Sequence, residues 1–233
     1  MINLKLLAVD SSAKSASVAI FEDKNLISEC FVNNGLTHSK TLLSMVNNAL
    51  NQSDLSIADI EKFAVNVGPG SFTGIRIGVA AIKGLAFNKN KPCAGISTLK
   101  SMAYNFIDED CYVCCSMDAR CNQVYCAVFE IENNFVKTVI EDKAVSIDDF
   151  YKDINLLNIK KIYLAGDGAK ICFEKFNDSK LILPSENRLY QRAYGVGLAA
   201  LYESEFTDSS LIEPVYLRLP QAERELKLKK NGD

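Results

Sequence analysis

The sequence predicts an α/β fold built from two copies of one βββαβα lobe, and three matches within the chain predict it. An ungapped shift of 108 residues pairs Asp10 with Asp118, Ala19 with Ala127, Phe21 with Phe129, Glu22 with Glu130 and Asn25 with Asn133, and sets Val18 and Ile20 against Cys126 and Val128. A shift of 98 lays Gly68 and Gly70 on Gly166 and Gly168, each pair following an apolar strand. A shift of 119 lays Gly78-Val79-Ala80-Ala81-Ile82 on Gly197-Leu198-Ala199-Ala200-Leu201. The three matches run in the same order along the chain, which is the signature of a duplicated unit. The expected division is residues 1–107 and 108–233, with a last helix, about 189–204, able to pack back on the first lobe.

Each element follows from its local pattern. Residues 4–9, 17–22 and 26–32 are short apolar or alternating runs separated by turn formers, which reads as an antiparallel meander. Thr37 is placed to N-cap a helix in which Leu42, Leu43, Val46, Ala49 and Leu50 recur at helical spacing, until the polar stretch 51–54 ends it. A buried strand at 63–67, a glycine-rich loop and an almost continuously apolar helix over 73–87 come next. A strand at 92–96 and a helix over 98–106 complete the first half. The second half opens with another strand triplet, 111–117, 124–131 and 135–140, and a further strand falls at 162–165.

Composition excludes several kinds of chemistry. With 48 % hydrophobic and 24 % charged residues, 233 residues can bury one large core or two small ones and are not expected to be disordered. The net charge of -3, with basic residues gathered only at 224–230, predicts at most weak, salt-sensitive contact between the isolated chain and nucleic acid. No basic segment with an apolar continuation opens the sequence, and no apolar run approaches the ~20 residues that span a bilayer, so the expected location is the cytosol. Eight cysteines in a chain of this length read as reduced, partly buried thiols. The single histidine, His38, excludes any metal helix that needs two imidazoles from one chain.

Four constellations invite a chemical reading. In Gly68-Pro69-Gly70-Ser71-Phe72-Thr73-Gly74-Ile75-Arg76-Ile77-Gly78 a strand feeds a glycine-rich turn that opens a helix, a place where amides and the helix dipole can receive an anion. The glycines fit neither GxxxxGK nor GxGxxG, and a tight strand-to-helix connection into which a neighbouring backbone fits is the favoured reading. Asp10 ends the first strand and stands either as a metal-orienting carboxylate or, as favoured, as a turn aspartate accepting its own backbone amides. Cys111, Cys114, Cys121 and Cys126 have a spacing reminiscent of zinc, but residues three apart on a strand point to opposite faces, so no metal is expected. His38 beside Ser39 lacks the orienting third group that a base for Ser71 or a thiol requires, so no catalytic residue is assigned.

Duplicated lobes of this kind are the architecture of the actin, hexokinase and Hsp70 (ASKHA) superfamily. Within it, residues 7–12 with Ser17-Val18-Ala19-Ile20, His38-Ser39, the 68–78 segment, Asp118-Ala119-Arg120 with Val124-Tyr125, and Pro220 with Ala222-Glu223-Arg224 resemble the TsaB (YeaZ) family across nearly the whole chain. The chain departs from the family in lacking a proline after the start of the His38 helix, in Gln123 where glutamate is usual, and in a short C-terminus. The resemblance implies a bacterial protein needed to form threonylcarbamoyladenosine beside the anticodon of tRNAs that read codons beginning with A. It implies a non-catalytic partner, with no cofactor of its own, for a TsaD-type paralogue that carries a metal on an HxxxH helix, joined by a TsaE-type ATPase; tRNA is reached only through the complex. The alternative is a small-molecule kinase or nucleotide-binding hydrolase of the same fold.

The partner surface is expected on the 73–87 helix, whose long polar side chains, Arg76 and Lys83, lie seven residues apart and share a face. A helix so apolar cannot face water around most of its circumference, and one sheet covers only one side. Gly74, Gly78 and Ala81 fall at i, i+4 and i+7 and permit close approach of another helix. With His38, Thr73 and Ile77 they define the expected contact, half of a four-helix interface with the paralogue or a second copy of the chain. The competing explanation is that the small face packs within the chain itself.

Overall fold

A computed structural model of the chain describes residues 3–35, 37–87 and 89–218, so the motif at 220–224 and the basic stretch at 224–230 lie outside the described residues. The first lobe runs β1 (Lys5–Asp10), β2 (Ala16–Glu22), β3 (Asn25–Val32), α1 (His38–Gln52), β4 (Lys62–Gly68), α2 (Phe72–Phe87), β5 (Cys93–Ser97) and α3 (Thr98–Ala103). The second runs β6 (Cys111–Asp118), β7 (Gln123–Glu132), β8 (Phe135–Ser146), α4 (Ile147–Leu156), β9 (Ile162–Ala165), α5 (Ala169–Phe176), β10 (Leu181–Ile182), α6 (Glu186–Leu189) and α7 (Ala193–Glu203).

The two sheets repeat one topology, β3-β2-β1-β4-β5 and β8-β7-β6-β9-β10, with an antiparallel meander on one side and parallel strands on the other. This is the duplicated α/β architecture that the sequence predicts, with a fifth strand added to each βββαβα unit. Central strands are buried on both faces, so β1 reads as a continuous apolar run while its pleat divides Leu6 and Ala8 from Leu7 and Val9. Leu7 and Val9 pack under α1 and α2; Leu6 and Ala8 face a central core that also holds Phe21, Val113 and Phe129. Into that core α3 contributes Leu99 and Met102, and α7 contributes Val196 and Ala199. The outer face of the second sheet packs beneath α4 and α5 through Phe150 and Cys172.

Three expectations need correction. Thr37 takes the N-cap position of α1 with extended backbone, but its side chain makes no capping bond. The helix expected over 98–106 is α for six residues and closes as a 3-10 turn, Tyr104–Phe106. The helix expected over 189–204 is broken at Tyr190, whose backbone is extended between α6 and α7. As the expectation for the last helix allowed, α7 packs back on the first lobe, against β1 and β2, and the chain after it stays there. The backbone N–H of Ala193 donates to Ser17 Oγ at 2.6 Å, and Thr207 pairs with Cys93 of β5. Among the described residues no helix is long and apolar enough to cross a membrane.

Candidate functional site

Strand ends, the glycine loop and the chain's return segment meet at the mouth of the cleft between the lobes. The cleft, about 580 Å³, is lined by Ser12, Lys14 and Ser71 of the first lobe, Asp118, Arg120 and Asp167 of the second, and residues 215–218. At its floor the duplicated turns match atom for atom. Asp10 Oδ1 accepts from the Ser12 N–H at 3.2 Å, and Asp118 Oδ1 accepts from the Arg120 N–H at 2.7 Å. Asp10 is wholly buried; its Oδ1 also accepts from Ser12 Oγ and Asn66 Nδ2, both at 2.7 Å. Burial pushes its carboxyl up against the opposing pull of these hydrogen bonds. The turn reading therefore describes Asp10. Asp167, which does line the cleft, is also pushed up, mainly by burial and further by the charge of Asp118.

Every glycine of the 68–78 motif makes room for a neighbouring part of this chain. A Cβ on Gly68 would stand 2.3 Å from the Val215 carbonyl oxygen, one on Gly70 2.4 Å from that of Ser12, and one on Gly74 2.1 Å from that of Ser11. At Gly78 it would stand 2.5 Å from Ser11 Oγ. Gly68 and Gly70 also carry positive φ values of 128° and 155°. Several of the loop's polar groups are used in the same way. The Ser71 N–H donates to the Ser12 carbonyl at 2.7 Å, Ser71 Oγ caps α2 by accepting from the Gly74 N–H at 3.2 Å, and Ser11 Oγ donates to the Gly74 carbonyl at 2.8 Å. Pro69 has no N–H to offer. The motif is a packing device that seats α2 on the β1–β2 turn.

This geometry divides the residues expected at a partner surface. Gly74 and Gly78 are buried against Ser11, so the small face they form is used inside the chain, as the competing explanation held, and neither presents a seam to another molecule. His38 is half-buried at the start of α1, with Nε2 2.7 Å from the Ala13 carbonyl, which as an acceptor takes the Nε2 proton. That bond ties His38 to its own β1–β2 turn. Arg76 donates through Nε to Tyr216 OH at 2.8 Å and lies 3.7 Å over the Phe72 ring. Lys83 donates to the Ser210 carbonyl at 2.9 Å, so both cations bond to the chain's own residues 210–216, Arg76 remaining exposed beside Tyr216.

What stays open on α2 is a stripe in which Thr73, Ala80, Gly84 and Phe87 are exposed and Ile77 and Ala81 half-buried. Phe87 is 81 % exposed, and a Cβ on Gly84 would meet nothing within 4 Å. Three of these residues, Ala80, Gly84 and Phe87, were absent from the expected set. The heptad-like recurrence 73, 77, 80, 84, 87 carries them, once the side chains under the 210–216 segment are known.

Six of the eight thiols are disfavoured as nucleophiles by burial, while Cys121, in the β6–β7 turn, is exposed. Cys111 and Cys114 fall on opposite faces of β6, in the central core and the outer core respectively. Burial pushes Cys93 and Cys172 up to about 11 and Cys111 and Cys126 up to about 12, and raises Cys114 and Cys115 further. Among the described residues no cluster of three His, Cys, Asp or Glu side chains converges on a metal position.

Comparison with known proteins gives this geometry relatives. The family model for TsaD, tRNA N6-adenosine threonylcarbamoyltransferase, matches residues 35–224. The tRNA threonylcarbamoyladenosine biosynthesis protein TsaB of Haemophilus influenzae is 32 % identical over 232 residues, covering 94 % of this chain and 95 % of its own. That of Bacillus subtilis is 28 % identical, covering 94 % and 96 %. A crystal structure of a Pseudomonas aeruginosa protein described as similar to peptidase YEAZ superimposes with a TM-score of 0.79 at 24 % identity, covering 92 % of this chain and 100 % of that one. At that identity the structural likeness speaks for the fold alone.

Proposed function

The chain belongs to the TsaB (YeaZ) family, and we propose that it serves tRNA threonylcarbamoyladenosine biosynthesis as a non-catalytic partner subunit of a TsaD-type transferase, together with a TsaE-type ATPase. The observation that carries the reading is the match to TsaB proteins along nearly the whole chain, at 32 % identity over 94 % of this chain and 95 % of the relative. The chemistry supports the non-catalytic part. The one imidazole is tied to Ala13, the buried thiols are held protonated, and the motif that resembles an anion loop is filled by the chain's own carbonyls. Among the described residues no side chain is poised as a nucleophile with its base.

The partner surface is the open stripe of α2, with Thr73, Ile77 and Ala81 from the expected set and Ala80, Gly84 and Phe87 beside them. A relation to the TsaD family model over residues 35–224 favours a partner with the same pair of leading helices, so that two such faces pack as four helices. The transfer itself belongs to the paralogue, which acts on the tRNA; this subunit supports it from the side, in the cytoplasm.

The test is reconstitution from purified components with each omitted in turn, alongside Ala80→Glu. Burying an unpaired carboxylate in an apolar helix seam costs several kcal/mol, whereas the same side chain is harmless on a face open to water. Ala80→Glu is expected to keep its circular dichroism, lose co-elution with the transferase and lose modification of tRNA. Normal co-elution of the variant would remove α2 from the interface. Modification at the full rate without this chain would remove the partner role altogether.

A further inference from the structure

The chain's return segment makes a connection that neither sheet makes. After α7 the backbone rejoins the first lobe: Thr207 bridges Cys93 at the edge of β5, Ile212 is buried beneath α2, and the Val215 N–H donates to the Val67 carbonyl at 2.7 Å. Tyr216 then stacks on Phe72 with ring centroids 4.5 Å apart and accepts the Arg76 bond. Two residues later Arg218 Nη1 donates to the Ala119 carbonyl at 2.8 Å, and Ala119 belongs to the β6–β7 turn of the other lobe. Residues 215–218 form one wall of the cleft throughout this crossing.

We propose that residues 215–218 are a latch that ties the two lobes across the mouth of the cleft and limits how far they part. The two lobes share a continuous core on the side of α3 and α7, which is the natural hinge; at the cleft mouth the strap joins first-lobe α2 to the second-lobe turn. Its first-lobe anchor is broad and aromatic, and its second-lobe anchor is one charge-assisted hydrogen bond, so the Arg218 end is the one that releases first. Gly68 belongs to the same device, because the strap's Val215 carbonyl oxygen occupies the space a Cβ there would need. Any molecule that enters the cleft meets the strap along one wall, and the strap in turn reports to α2, the helix beside whose open stripe it is anchored. This inference stands on the intrachain geometry and does not depend on the partner reading.

Two anchors in series give a distinctive signature. In hydrogen–deuterium exchange on the full chain, Arg218→Ala and Tyr216→Ala are each expected to speed exchange roughly fivefold at both rims, peptides 67–72 and 117–122, as loss of a single polar or aromatic anchor would. The double variant is expected to exchange no faster than the faster single one, because a strap already free at one end has no tension left to lose. Exchange that changes only at the rim next to each substitution, or that adds in the double variant, or that does not change, overturns the latch. Arg218 is half-buried and makes a single bond to the other lobe, so Arg218→Ala carries the test alone if Tyr216→Ala proves unfolded.

Discussion

At the scale of single residues, the buried positions of the 68–78 motif and the β1–β2 turn decide more than any candidate catalytic group. Gly78 is the sharpest case. A leucine there meets Ser11 Oγ and the Val65 side chain at once, inside a seam that cannot widen without lifting α2 from the sheet. Gly78→Leu is therefore expected to destabilise the isolated chain, by roughly 1–3 kcal/mol or more in urea unfolding, because overpacked cores strain their neighbours. The smaller Gly78→Ala should be partly rescued by Ser11→Gly, which removes the contacting hydroxyl; absence of rescue would mean the strain lies elsewhere. Asp10 supplies a test in pH. Its carboxyl is raised by burial, so the stability it contributes is fully present below its unfolded value and is lost as pH rises through the folded value. Asp10→Asn keeps an oxygen to accept from Ser12 and Asn66 while removing the charge. Its unfolding free energy, relative to the natural protein, should shift in the variant's favour between acid and pH 8, whatever constant offset the amide adds. Parallel pH profiles would show that the buried carboxyl is not costing the fold its charge.

Among the elements, α2 shows both what a sequence discloses and where it stops. An apolar circumference predicts that this helix is covered on more than one side, and it is: by the sheet, by the β1–β2 turn and by residues 210–216. Which residues face which cover is not written in the 3.6-residue period, because the 210–216 segment comes from more than a hundred residues away and carries no pattern that aims it at Arg76 and Lys83. Central strands were legible because burial on both faces makes them unbroken apolar runs. The last turns of β8, through Glu141, Asp142 and Lys143, were not, since this edge strand carries charge where alternation would be sought. Tyr190 broke an expected helix for a tertiary reason: the extended backbone there brings the Leu189 carbonyl to the Gly166 N–H at 2.6 Å. The glycine spacing of the motif was legible as packing, yet only the β1–β2 turn and the strap in place reveal that four separate close approaches set it.

For the molecule as a whole, duplication has preserved the frame of the cleft while its phosphate-sized openings are occupied from within. In both lobes an aspartate at the end of the first strand closes its own turn, through Ser12 and Arg120. In both, the loop after the fourth strand bonds back to that hairpin: Ser71 N–H to the Ser12 carbonyl, and Gly168 N–H to the Ser116 carbonyl at 3.1 Å. An incoming triphosphate would need those amides and the space above them. It would find carbonyl oxygens instead, together with the carboxylates of Asp118 and Asp167, and the strap of residues 215–218 along the wall. Carbonyl and carboxylate oxygens repel a phosphate, and the three cations that line the cleft among the described residues, Lys14, Arg120 and Arg218, stand opposite that cost, with Arg218 already committed to Ala119. A ligand held at a hundred times its dissociation constant adds about 2.7 kcal/mol to stability, enough to raise the melting temperature of a chain this size by several degrees. Millimolar ATP with magnesium is accordingly expected to leave the melting temperature of the isolated chain unchanged. A clear rise, abolished by Asp118→Ala, would place a nucleotide in the cleft and favour a kinase-like or hydrolase-like activity over the role of a silent partner.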